Sequence, residues 1–143
     1  MAITQAMCTS FKQALLDGEM DFSSDTAQSY KIALYTSSAS LDAATTAYTT
    51  SGEVSGTGYT AGGNTLNIST NPTTGGTTAF LSFGTTTWST ATITARGALI
   101  YQSGGSNPAV AVLDFGSDKG SSAGDFQITF PAANATDAII RIA

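Results

Sequence analysis

The 143-residue chain contains no histidine at all. That removes at once the commonest general base, the usual activator of a serine or cysteine nucleophile and the commonest metal ligand. Hydrolase triads are therefore absent. Cysteine is nearly absent too: the single Cys8 excludes an internal disulfide and fits synthesis in a reducing compartment. Charged residues make up 10 % of the chain, well below the usual quarter, and the five cations are nowhere clustered. With ten acids against those five bases the net charge is −5, so a phosphate backbone finds no bunched cations to neutralise it and no nucleic-acid partner is expected.

Long apolar runs are missing as well. No stretch approaches the 18 residues or so that a membrane-spanning helix needs, and no membrane association is expected. The opening "MAITQAMCTSFKQALLDG" has no basic leader, apolar h-region or small-residue cleavage site, so the mature chain is expected to begin at or near Met1.

What is abundant is small and polar. Ser and Thr together occupy 41 positions and Gly another 15, which with few Glu and Lys favours strands and turns over helices. Hydrophobic residues still reach 41 %, enough for one domain of this length to build a core without staples. The expected organisation is a single domain over 1–143, with an N-terminal helix over about 4–17 and a β-domain over about 28–143.

The helix rests on Ile3, Met7, Phe11, Ala14 and Leu15, which fall near one face at helical spacing, with Gly18 placed to end it. Cys8 flanks that stripe as a packed small hydrophobe. After an acidic turn, Tyr30 to Thr36 alternates, with Tyr30, Ile32 and Leu34 on one face and Lys31, Ala33 and Tyr35 on the other. Further strands are predicted over 64–69, 77–83, 91–102, 109–115, 125–130 and 137–142, and "STNPTTGGTT" reads as a flexible hairpin loop. Seven or eight short strands at such intervals predict a mainly β fold, an antiparallel sandwich or barrel, with one N-terminal α-helix.

Motifs that carry chemistry do not emerge. "GTGYTAGG" is neither GxGxxG nor GxxxxGKS, and turns needing positive φ explain its glycines better than a nucleotide. Asp114, Asp118 and Asp125 lack EF-hand spacing and sit with Lys119 in what reads as a solvated loop. No pair among the ten carboxylates is singled out for glycoside hydrolysis. No catalytic residue, cofactor or metal ligand is expected. Trp88, Tyr48 and Tyr59 fall near predicted loops, where aromatics stack on sugars or anchor protein contacts, and with Phe11 on the helix they are the candidate interface residues; core burial is the competing reading for Trp88.

"ITARGALIYQ" sets Arg96 and Gly97 in the middle of a strand that reads as buried. The turn formers of "SGGSNP" predict that the strands on either side pair as a hairpin. In the expected register Ile100 faces Val110, Ala98 faces Val112 and Arg96 faces Asp114, an ion pair holding two strands together. Both faces carry apolar residues, so the pair is expected near the core, with Gly97 at a bulge or close backbone approach.

The stretches "MAITQAMCTSFKQALLDG", "YKIALYTSSASLDAATTAY", "EVSGTGYTAGG", "ITARGALIY", "AVAVLDFGSDK" and "AIIRIA" together resemble a family of small virion structural or accessory proteins of tailed bacteriophages. The resemblance implies a non-enzymatic particle protein made in the host cytoplasm and localised to the virion, with the major capsid protein or other virion proteins as partners and with many copies, as a homo-oligomer. It implies either a capsid decoration or cement protein, contacting the shell through the N-terminal helix or a loop, or a tail-associated fibre or receptor-binding module. It also implies that "SSDTAQS" and "STNPTTGGTT" are variable loops.

Overall fold

The computed structural model describes residues 2–23 and 28–143. The "SSDTAQS" segment lies largely outside them. In chain order the elements are β1 (Ala6–Met7), α1 (Thr9–Leu16), β2 (Ser29–Tyr35), β3 (Asn64–Leu66), β4 (Ile68–Gly75), β5 (Thr78–Phe83), β6 (Thr86–Ser103), β7 (Ala109–Ile128) and β8 (Ile140–Ile142). They form a five-stranded sheet of order β1-β7-β6-β2-β3 and a three-stranded sheet of order β4-β5-β8, with every strand pairing antiparallel. The fold is mainly β with one short N-terminal helix, as the Ser/Thr-rich composition predicts.

β2 lies between β6 and β3, and its residues from Ile32 to Tyr35 are buried on both faces. Phe22 covers the Tyr30 face: its ring stacks on Tyr30 at 4.2 Å, meets Phe11 of the helix at 5.8 Å and reaches Phe83 of the smaller sheet at 6.3 Å. This aromatic column joins helix and both sheets. The long segment 36–63 covers the other face, where Tyr35 donates its hydroxyl to Thr49 O at 2.6 Å and Tyr48 stacks on Tyr101 at 4.8 Å.

The helix is shorter than predicted because backbone partners compete for its first turn. Thr4 N–H donates to Leu41 O, Ala6 and Met7 pair with Val112 and Ala111, and Cys8 N–H donates to Val110 O at 2.9 Å. Extended residues 3–8 thus satisfy on Leu41 and on strand β7 the groups that a helix would have satisfied internally. Gly18 does end the helix, with φ +71°.

Strand boundaries also move: β6 begins at Thr86 rather than at 91, and β8 covers only Ile140–Ile142 of the predicted 137–142. The predicted strand 64–69 breaks at Asn67, where the chain leaves the larger sheet after Leu66 and enters the smaller at Ile68. "STNPTTGGTT" is not a loop but most of the β4–β5 hairpin, closed by a two-residue turn between Gly75 and Thr78. The predicted runs 109–115 and 125–130 are parts of one strand, since "GSDKGSSAG" pairs with the Thr-rich start of β6.

The central hairpin keeps its predicted partners but not their register. Gly97 stands opposite Asp114, Ala98 opposite Leu113, Leu99 opposite Val112 and Ile100 opposite Ala111, one residue from expectation. A one-residue slip exchanges the faces of a strand, and hydrophobic patterning opposes it only where one face is polar. Here Ala98, Leu99, Ile100 and Tyr101 are all buried, so the pattern does not discriminate between the two registers.

Candidate interaction surface

Of the residues singled out for contact, Phe11 is fully buried and Trp88 is 3 % exposed, so neither is free to meet a partner. Trp88 lies inside β6 rather than beside a loop, packed against Phe126 and stacked on Tyr59. Tyr48 and Tyr59 are half-buried and committed internally. Both donate hydroxyl hydrogen bonds of 2.7 Å to the carboxylate of Glu53, which also accepts the Gly62 N–H at 2.8 Å. Tyr59 Oη in turn accepts the Leu34 N–H at 2.9 Å, and Tyr101 donates to Gly62 O at 2.7 Å. Burial, with the neighbouring Glu53 charge, pushes the phenols of Tyr48 and Tyr59 well above their ordinary range. The arrangement ties the glycine-rich segment around Tyr59 to β2 and β6. Glu53 carries no motif in the sequence, and its role emerges only once the fold brings residues 34, 48, 59 and 62 around it.

Arg96 and Asp114 do meet, at 3.4 Å from Nε to Oδ1, but as a diagonal pair with side chains 36 % and 28 % exposed. The expectation of a buried pair directly across the ladder is corrected by the register: Gly97, not Arg96, occupies the position opposite Asp114. Gly97 is the close approach the sequence predicts, since a Cβ there would lie 2.5 Å from Leu113 O.

Among the described residues no group of three or more His, Cys, Asp or Glu side chains is placed to hold a metal ion, so the Asp114, Asp118 and Asp125 string does not converge. No described helix is long and apolar enough to cross a membrane. Cys8 is fully buried, and burial with the nearby Asp42 charge pushes its thiol up to about 11.

One surface does stand out. Leu16, the last residue of α1, is 90 % exposed, and Ile142 of β8 is 52 % exposed. They flank a groove of about 380 Å³ that Met7, Phe11, Lys12 and Leu15 of the N-terminal segment and Arg141 and Ala143 of the C-terminal one also line. A second groove of about 510 Å³ adjoins it, running between the helix and the inner face of the smaller sheet along Leu81, Ile140 and Phe22. The two sheets therefore do not close over the core on this flank. Leu16 falls outside the stripe of Phe11, Ala14 and Leu15, and an apolar residue on the polar side of a short helix is the one sequence signal that marks it.

No family model matches the chain, and comparison with curated proteins and with solved structures yields no match.

Proposed function

We propose that the chain is a non-enzymatic structural protein of a tailed-bacteriophage virion, a capsid decoration or cement protein that binds the major capsid protein and stabilises the head. The observation that carries this reading is the apolar flank between α1 and β8, where Leu16 and Ile142 lie in water beside an unfilled groove. Exposed apolar side chains joined to a groove mark a contact surface, and the N-terminal helix is the element expected to make it. The resemblance to small virion proteins supplies the kind of partner. A surface rich in Ser and Thr and poor in charge suits close packing in many copies, because few charges have to be desolvated.

The tail-associated reading draws its support from aromatics free to stack on a host glycan. Trp88 is buried, and the Tyr48 and Tyr59 hydroxyls are held by Glu53, so it has less to stand on. Quantitative mass spectrometry of purified particles separates the two. Hundreds of copies per particle are expected for a decoration protein and a few to dozens for a fibre, and absence from the particle overturns both.

A further inference from the structure

The outward stripe of α1 runs through Thr9, Lys12, Gln13 and Leu16 to Asp17 at the cap, all exposed, while Phe11 and Ala14 are buried on the other side. Steps of three and four residues set Thr9, Lys12, Gln13 and Leu16 on one face, and Asp17 lies one turn beyond Gln13. The groove of about 380 Å³ lies along this stripe, since Lys12 and Leu16 line it together with Met7, Phe11 and Leu15. An apolar knob, Leu16 at 90 % exposure, thus stands beside a hole on the same flank. A knob and a hole side by side are self-complementary under a two-fold axis, which lets Leu16 of each copy enter the groove of the other.

Charge sets the sense of the pairing. Lys12 and Asp17 put opposite charges on either side of Leu16, and neither side chain has a hydrogen bond or ion pair among the described residues. Two parallel copies of α1 would bring Lys12 to Lys12 and Asp17 to Asp17, like charges that repel. In an antiparallel pair Lys12 of one copy lies beside Asp17 of the other, twice over, and Gln13 lies against Leu16. Any other partner has to supply both signs and both shapes at once; a second copy carries them already. Size sets the strength. Leu16 and Ile142 are the large apolar side chains left exposed, so the contact falls below the roughly 1,200 Å² of a standard interface and its dissociation constant is expected above about 1 μM. A contact that weak is one a shell can displace.

We propose that free chains pair through this flank as a two-fold dimer with antiparallel α1 helices, and that the dimer masks the surface until the shell displaces the second copy. The masking rests on the reading of the α1–β8 flank as the contact surface; the dimer does not.

The test is analytical ultracentrifugation of the whole chain from micromolar to millimolar concentration, with melting curves to show that each variant is folded. A reversible monomer–dimer equilibrium is expected. L16D should weaken it by about tenfold or more, as loss of a central anchor does. K12D and D17K should each weaken it by about three- to tenfold, since each turns two exposed attractions into repulsions, and K12D/D17K should recover most of that loss. A chain that stays monomeric at millimolar concentration overturns the proposal. So does a dimer indifferent to L16D, or a double variant no tighter than the single ones. Uptake onto bare particles should follow the concentration of free monomer, and uptake that follows total chain instead overturns the masking. If the chain is monomeric while L16D still loses its place on particles, the dimer is wrong and the shell contact stands. If the dimer behaves as expected while L16D decorates particles normally, the dimer stands, and the shell reading fails together with the masking.

Discussion

Arg96 Nε lies 3.4 Å from Asp114 Oδ1 although the residue opposite Asp114 in the ladder is Gly97. The same Asp114 oxygen accepts the Gly116 N–H at 2.9 Å, and Gly116 sits at φ +81° where β7 bulges away from β6. Between Ala95 and Gly97 the partner on β7 moves from Lys119 to Asp114, so several extra residues of β7 are taken up at the height of Arg96. Asp114 thus fixes the bulge first and the ion pair second.

R96A is therefore expected to lower the melting temperature slightly and D114A more, with D114N close to R96A because its amide oxygen still accepts from Gly116. The Gly116 hydrogen bond, opposed by some desolvation and reinforced by Arg96, holds the Asp114 carboxyl below its ordinary 3.8. A depressed folded-state value contributes stability above the unfolded value that is lost as pH falls through the folded one. The wild type and D114N should accordingly differ at pH 5 and converge below the usual carboxylate range, as thermal melts at a series of pH values will show. Equal melting of R96A and D114A at neutral pH would contradict this ordering.

Gly97 and Gly63 are two of the close backbone approaches in the larger sheet. A Cβ on Gly97 would meet Leu113 O at 2.5 Å and Ile3 Cγ2 at 2.9 Å; on Gly63, which also has φ +77°, it would fall within 1.8 Å of Ile32 O. G97A and G63A are expected to destabilise by about 1–3 kcal/mol or more through overpacking and backbone strain. G76A, with φ +62° but open space around it, should cost about 1 kcal/mol or so from backbone strain alone. Urea unfolding of the three variants checks the ranking.

Glu53 collects three donors, from Tyr48, Tyr59 and Gly62. E53A leaves them without that acceptor and should cost roughly 1–3 kcal/mol, with faster amide exchange concentrated between residues 53 and 63. Raised phenol values in the folded state mean stability that is complete below the ordinary value of 10.0 and lost as pH rises beyond it. In the wild type, absorbance at 295 nm should show Tyr48 and Tyr59 ionising together with unfolding rather than titrating freely near pH 10. Independent titration of these phenols in the folded protein would contradict the network.

Cys8 is buried with its thiol pushed up to about 11, so at pH 8 a thiolate reagent should label it only as the chain opens. Labelling by Ellman's reagent is expected to match the rate of unfolding. Rapid labelling of the folded protein would show that the helix start is not packed as described.

Much of this architecture is legible in the residues, because local signals and burial agree there: the alternation in Tyr30 to Tyr35, the "SGGSNP" turn and the glycine after the helix all lie where the sequence puts them. The register of the central hairpin is not legible, since residues 98–101 are apolar on both faces and a slip of one changes nothing in their pattern. The first turn of the helix is lost to a β7 edge about a hundred residues away, which no local propensity reports. Aromatics are the contact candidates that the sequence offers, yet Phe11 and Trp88 are consumed by the core and the tyrosine hydroxyls by Glu53. Leu16, which the helical stripe passes over, is the residue left outside.

The most direct test is competitive decoration through that residue. Particles assembled with equal amounts of wild-type chain and L16D should incorporate the wild type and largely exclude the variant, as isotope-resolved mass spectrometry of purified virions will quantify. Because Leu16 is 90 % exposed, L16D should cost only about 1 kcal/mol, from lower helix propensity and an acid at the helix C-terminus, so exclusion by a variant whose melting confirms that it is folded would report contact rather than unfolding. Equal incorporation of the two chains would contradict the assignment of the α1–β8 flank as the surface that meets the shell.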